Sequence, residues 1–303
     1  MSASPDPVTG PGLLLVDKPA GMTSHDVVAR VRRLARTRKV GHAGTLDPMA
    51  TGVLLVGIGK ATRLLGHLAL TEKAYAATIR LGSSTTTDDA EGELLSAAGA
   101  GSTTEADVRS ALTGFVGDLQ QVPATVSALK VGGRRAHELV RAGAEVQLAA
   151  RPVTVHELHL TGCRRGGDHL DVDVELRCSS GTYVRAVARD LGAVLGAGGH
   201  LTTLRRTAVG PVGITEATPL AELEDAGTLP VVPMAQAVTR FFAVVHVDEG
   251  AARDVTHGRF LDLPEATGPA ARPFAVIGPD GSFLALYRPG EAGAPARPVA
   301  VFV

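Results

Sequence analysis

Three observations on the sequence predict an α+β fold. Short apolar runs bounded by turn residues, at 12–16 and 53–56, have the length and composition of buried strands. Stretches of helical periodicity stand between strand candidates, first after Ser24 and again over 184–195. From about Arg240 the pattern changes to short strands and turns, which separates a large mixed unit from a smaller β-rich one. With 303 residues, 45% of them hydrophobic, the chain can bury a substantial core, and this excludes a disordered chain.

Taken in order, residues 1–10 read as a short flexible lead without the basic region and apolar core of a secretory signal. No apolar run reaches membrane-spanning length free of Gly or charge, so no membrane association is expected and the predicted location is cytoplasmic. Cys163 and Cys178 form no Cys-x-x-Cys pair. They flank a predicted hairpin across which they could approach, and reduced thiols fit the expected compartment.

After the strand at 12–16, Asp17-Lys18-Pro19-Ala20-Gly21-Met22-Thr23 reads as a turn. Ser24 is a candidate N-cap, and Asp26 suits the first helical turn. Val27, Val28, Val31, Leu34 and Ala35 share the buried face. Arg30, Arg32, Arg33, Arg36, Arg38 and Lys39 follow without an intervening acid, mostly on the other faces. Net charge is -1, so it is the distribution of charge that points to a polyanion; a solvated helix face and a phosphate-binding surface both fit this cluster.

Gly41-His42-Ala43-Gly44-Thr45-Leu46-Asp47-Pro48-Met49-Ala50-Thr51-Gly52 is read as a polar, glycine-rich loop carrying one carboxylate. The apolar run at 53–56 follows at once, so Asp47 is tied to a rigid core element, which suits a reactive group. Pro48 biases Asp47 away from the α region. The next segment, Gly57-Ile58-Gly59-Lys60-Ala61-Thr62, resembles a nucleotide-binding loop only superficially. Leu54 stands at the first glycine of that pattern and Ala61 at its Ser/Thr, which excludes ATP or GTP binding here. Residues 60–68 read as a short helix.

Residues 73–82 read as a strand carrying Tyr75. Aromatics are only 3% of the chain and Trp is absent, so each tyrosine merits inspection. The polar loop at 85–92 holds Asp88, Asp89 and Glu91 without metal-ligand spacing. Thr104 and Asp107 mark a helix start running to Leu112. A second basic stretch holds Lys130, Arg134, Arg135, Arg141 and Arg151, diluted by Glu138 and Glu145. Segments 153–160 and 169–178 form a hairpin around Arg165-Gly166-Gly167-Asp168. In its second strand Leu170, Val172, Val174 and Leu176 alternate with Asp171, Asp173 and Glu175, the signature of one buried face. His156-Glu157-Leu158-His159 is one residue short of the zinc-protease pattern and lacks helical spacing.

Cys178-Ser179-Ser180-Gly181-Thr182-Tyr183-Val184-Arg185 links that strand to the helix at 184–195. Arg205-Arg206 is a third basic site. Residues 220–236 read as two short helices interrupted by Pro230 and Pro233. Strand candidates follow at 241–247, 274–277, 283–287 and 299–303, with Pro279-Asp280-Gly281 as a hairpin turn. No internal repeat is present.

Several of these blocks, in this order, resemble the bacterial TruB family of tRNA pseudouridine synthases. They are Gly-Leu-Leu-Leu-Val-Asp-Lys-Pro-Ala-Gly-Met-Thr-Ser at 12–24, the Gly-His…Thr-Gly block at 41–52, Lys73-Ala74-Tyr75, Gly181-Thr182-Tyr183-Val184-Arg185 and His200-Leu201-Thr202-Thr203-Leu204-Arg205-Arg206-Thr207. Loop 85–92 departs slightly from the family's Thr-Asp-Thr-x-Asp-x-x-Gly pattern, and His137 stands where many members carry tyrosine. The resemblance implies a pseudouridine synthase fold on a mixed, largely antiparallel sheet. It implies a catalytic domain at 11–239 with an RNA-gripping insertion at about 123–152, and a PUA-like RNA-binding domain at 240–303.

The implied substrate is uridine 55 in the TΨC loop of tRNA, extruded from its loop before reaction. Asp47 would be the nucleophile, by attack at C1′ or by a route through sugar deprotonation to a glycal. Arg185 would pair with Asp47 and favour its charged form. Tyr75 would stack on the base, with acid/base work as a second role, and His42, Tyr183 and Leu204 would complete the RNA-bound pocket. Lys18, Lys130, Arg134, Arg135 and Arg141 are the RNA-backbone candidates. No cofactor, metal or obligate protein partner is expected; the partner is the tRNA T-arm. Two other readings use the same surfaces: a noncatalytic RNA-binding or RNA-folding protein, and a pseudouridine synthase with a different RNA target.

Overall fold

A computed structural model of the chain describes residues 10–124, 148–262, 272–290 and 294–303, with the backbone of two short strands, Lys130–Val131 and Arg134–Arg135. Among the described residues, one large mixed sheet runs in the order Thr218–Pro219, Gly12–Lys18, Thr51–Ile58, Gly199–Val209, Lys73–Leu81, His169–Cys178, Arg151–Gly166, Gly117–Gln121. Two contacts are parallel, Gly12–Lys18 with Thr218–Pro219 and Thr51–Ile58 with Gly199–Val209; the remaining contacts along this path are antiparallel. The mixed, largely antiparallel expectation therefore holds.

The uninterrupted apolar runs have a simple cause: their strands are covered on both faces. Leu14, Val16, Leu54 and Val56 pack with Val27, Val28 and Val31 of helix Ser24–Leu34. Leu13, Leu15, Val53 and Leu55 face the opposite way, into a cluster with Leu64, Leu65, Met234 and Val238. The alternating strand behaves differently. Leu170, Val172, Val174 and Leu176 enter a third cluster with Val187 and Leu191 of helix Val184–Val194, while Asp171 and Asp173 face outward and pair with Arg80 and Arg164.

The C-terminal sheet is built from Val244–His246, Phe274–Ile277, Phe283–Arg288 and Arg297–Val301. Ala275, Ile277, Phe283, Leu286 and Phe302 bury one of its faces in the cluster that holds Leu13 and Leu55, so this sheet shares a core with the large one. Arg63 lies over the Phe302 ring at 4.9 Å, a cation–π contact across the same junction.

Local details correct several expectations. The N-cap is Thr23, whose side chain accepts from the Asp26 amide while Asp26 accepts from the Thr23 amide; Ser24 is the first helical residue and is buried. The first part of the 41–52 block is not loop: Val40–Ala43 is a strand paired antiparallel with Thr51–Ile58. The strand expected over 241–247 is confined to Val244–His246, and helix Glu249–Thr256, capped by Asp248, follows it unannounced by apolar periodicity. Cys163 lies opposite Val172 and Cys178 opposite Val155, far apart along the hairpin, and both are free thiols.

Candidate active site

Asp47 follows the Val40–Ala43 strand and precedes Thr51–Ile58, at the tip of a hairpin embedded in the sheet. Its carboxylate is one-third exposed, at 34%, whereas the Arg185 side chain opposite it is 5% exposed. Arg185 Nε donates to Asp47 Oδ2 at 2.9 Å and Nη2 to Oδ1 at 3.2 Å. This two-pronged pairing fixes the plane of the carboxylate as well as its position. The third nitrogen, Nη1, donates to the Thr87 carbonyl at 2.9 Å, and Asp89 Oδ2 stands 3.6 Å from Nε. Asp89 is itself buried and held by the Glu91 amide and the Thr87 hydroxyl. The polar loop at 85–92 therefore flanks the guanidinium that pairs with Asp47.

Contacts from four residues hold the Asp47 segment in place. The Ser24 hydroxyl accepts from the Leu46 amide at 2.9 Å and donates to the Leu46 carbonyl at 3.1 Å. Lys18 is fully buried, and its ammonium donates to the carbonyls of Pro19, Met22 and Pro48. Burial pulls its pKa down to about 8, the nearby Asp47 charge opposing the shift. The Gly21 amide donates to the Pro48 carbonyl at 2.9 Å. Finally, Arg206 is the largest fully buried side chain among the described residues; it donates to Val53 at 2.7 Å, Gly44 at 3.1 Å and Thr45 at 3.4 Å, all through backbone carbonyls. Arg206 sits between Gly52 on one neighbouring strand and Tyr75 on the other.

Tyr75 and Leu204 provide the apolar side of the site. Leu204 is buried in the same cluster as Leu46, Ala50 and Val184, and Tyr75 and Met49 pack against that cluster. Burial pushes the Tyr75 phenol up, against the pull of the Arg206 charge and its hydrogen bond. Tyr183 sits half-buried at the N-cap of helix Val184–Val194, where its amide donates to Gln121 Oε1 at 2.8 Å and its carbonyl accepts from Nε2 at 3.1 Å. His42 meets His25 edge-on, with ring centroids 5.2 Å apart, and its Nδ1 is buried without a hydrogen-bond partner among the described residues. Burial first, then the neighbouring His25 and Arg206 charges, lower its pKa to about 4, so the ring is neutral near pH 7.

The arrangement is an oriented carboxylate held by a buried guanidinium, beside the apolar cluster that Leu46 and Leu204 join and Tyr75 packs against. Models of known families match the chain in three consecutive parts. Residues 32–184 match the TruB family pseudouridylate synthase N-terminal domain, 185–230 the tRNA pseudouridylate synthase B C-terminal domain, and 242–303 the tRNA pseudouridine synthase II C-terminal region. The chain belongs to the TruB family.

TruB relatives match over nearly the whole length. The tRNA pseudouridine synthase B of Thermobifida fusca (strain YX) is 56% identical over 295 residues, covering 96% of this chain and 98% of the relative. That of Arthrobacter sp. (strain FB24) is 54% identical over 299 residues, with 96% of each chain covered. Among solved structures, a Cbf5-Nop10-Gar1 complex contains a chain similar at a TM-score of 0.73 and 26% identity, covering 96% of this chain and 83% of that one. An H/ACA ribonucleoprotein bound to a substrate RNA containing 2′-deoxyuridine matches at 0.71 and 25%, covering 96% and 85%. Together with the mixed sheet, these place the TruB chain in the pseudouridine synthase fold.

Of the residues singled out for the TruB site, Asp47 and Arg185 are in direct contact, and Tyr75 and Leu204 share the adjoining apolar cluster. Lys18 departs from expectation: buried, with its ammonium given to three carbonyls, it supports the Asp47 loop from inside and offers no surface to a phosphate. The Arg205-Arg206 site departs in the same way, since Arg206 is buried and Arg205 pairs with Asp17 at 2.6 Å. Lys130 and Arg135 are register partners in a two-residue ladder, as are Val131 and Arg134, and their side chains lie outside the described ones. Arg141 lies outside the described residues. Ser24, Asp89 and Arg206 carry structural work at the site that no local pattern marks, because a buried polar side chain is defined by its tertiary partners.

Proposed function

We propose that the chain converts uridine 55 in the TΨC loop of tRNA to pseudouridine. The oriented Asp47–Arg185 pair carries this reading, because it holds one carboxylate in a fixed plane beside the cluster that Leu204 joins and Tyr75 packs against. Relatives at 56% and 54% identity named tRNA pseudouridine synthase B support it.

In this reading the target base leaves its loop and docks against Tyr75 and Leu204, with Tyr183 beside it and His42 supporting the opened loop. Asp47 acts on the ribose as the C1′–N1 bond breaks and its electron pair goes to the base. The uracil turns, C5 bonds to C1′, the C5 proton is lost and N1 gains one. Atoms and electrons balance within the nucleoside, so the reaction needs no redox partner, nucleotide or metal. Arg185 keeps the Asp47 plane aimed throughout. The raised pKa of Tyr75 favours its ring as a stacking platform over its phenolate as a base. Residues 11–239 act as the catalytic domain, and 240–303 as a PUA-like RNA-binding domain.

The test is primer extension after chemical derivatisation of pseudouridine, on unmodified tRNA transcripts incubated with the protein. The expected result is a single new stop reporting uridine 55. A stop elsewhere would assign a different target, and none at all would favour the noncatalytic RNA-binding reading.

A further inference from the structure

The basic cluster that follows the first helix takes no part in the site described above. Arg33, Arg36, Arg38 and Lys39 are exposed, and none has a side-chain hydrogen bond or ion pair among the described residues. The fold adds Lys60 to them: the Gly59 amide donates to the Lys39 carbonyl at 2.8 Å, which sets the two lysines on adjacent backbones, and Lys60 is likewise exposed and unpaired. Arg32 braces this group by donating to the Val40 carbonyl at 3.0 Å. Five uncompensated cations on one surface contrast with the net charge of -1 for the whole chain and with the ion pairs that neutralise Arg30, Arg80, Arg177 and Arg205 elsewhere.

The position of the patch matters as much as its charge. Asp47 lies at the Thr51 end of strand Thr51–Ile58, and the patch lies at the Ile58 end, where Val40 pairs with Ile58. Eight strand residues span about 23 Å. A phosphate bound there belongs to a part of the RNA well removed from the reacting nucleotide. Arg63, close in sequence to Lys60, lies over the Phe302 ring, so the segment that carries Lys60 also meets the C-terminal part of the chain.

We propose that Arg33, Arg36, Arg38, Lys39 and Lys60 form a second RNA-backbone surface, taking the phosphates of tRNA beyond the T-arm hairpin. The inference rests on tRNA being the substrate. It gives the enzyme a way to distinguish a whole tRNA from an isolated hairpin by charge, without reading bases.

The variant Arg33→Gln/Arg36→Gln/Lys39→Gln/Lys60→Gln tests it, with Kd measured for a full-length tRNA transcript and for a T-arm hairpin over a range of salt. All four side chains are exposed, so a folded variant is expected, and its unfolding midpoint is checked first. The expected result is a loss of about tenfold or more in tRNA affinity at moderate salt and a shallower salt dependence, by about two in the log–log slope. Hairpin affinity and hairpin modification should stay within about twofold of wild type. An unchanged tRNA affinity, or equal losses for both RNAs, would overturn the proposal. Failure of the wild type to modify the hairpin would instead count against the function proposed above. If the quadruple variant does not fold, Arg36→Gln/Lys39→Gln is judged by the same difference between the two RNAs.

Discussion

At the scale of single residues, the site depends on buried cations used in different ways. Arg185 points its fork at a carboxylate, whereas Lys18 and Arg206 are surrounded by backbone carbonyls. A buried charge held by carbonyls is costly to strand and difficult to replace. Arg206→Met would leave the Val53 and Gly44 carbonyls without their donors and loosen the support beneath Tyr75. The expected loss is about 3 kcal/mol of unfolding free energy, read from denaturant melts. The single-turnover rate should also fall, by about a hundredfold, with hairpin affinity kept. A variant of wild-type rate would show that Arg206 serves stability alone. The resemblance to the family's motifs singled out Asp47, Tyr75 and Arg185, and the fold brings Asp47 and Arg185 into contact. The motifs could not separate Lys18 from a surface lysine, since only tertiary packing shows that its ammonium points inward.

At the scale of elements, strands were legible wherever the burial pattern was simple. Alternation in His169–Cys178 and unbroken apolar runs in Gly12–Lys18 and Thr51–Ile58 correspond to one and two covered faces. Glu249–Thr256 escaped because its only buried residue is Val255, too little apolar content to declare a period. Val40–Ala43 escaped because glycine and histidine mask a strand that its neighbour recruits. Gly52 shows how closely two elements meet: its φ is +105°, and a Cβ there would stand 2.2 Å from the Arg206 carbonyl oxygen. Gly52→Ala combines backbone strain with a clash against a neighbouring strand, and about 3 kcal/mol of destabilisation is expected. Thermal melts check this, and an unchanged midpoint would mean that the parallel pairing of Thr51–Ile58 with Gly199–Val209 gives way more easily than its geometry implies.

At the scale of the whole molecule, one core cluster spans the large sheet and the C-terminal sheet, and the Asp47 carboxylate stands in a hairpin rooted in that core. The proposed reaction needs this rigidity, because the energy of RNA binding can open an RNA loop only if the protein does not yield first. The Asp47 segment is tied at three places: Leu46 by Ser24, the Pro48 carbonyl by Lys18 and Gly21 together, and the Gly44 and Thr45 carbonyls by Arg206. The most direct test of this account is the single-turnover rate of pseudouridine formation on an unmodified T-arm hairpin, for wild type and for Asp47→Ala, with hairpin affinity measured alongside. The account predicts modification by wild type, loss of at least about a thousandfold in the variant, and affinity within about threefold. Product formation by Asp47→Ala at a rate near wild type would contradict it, because the carboxylate that the fold holds in place would then not be the reacting group.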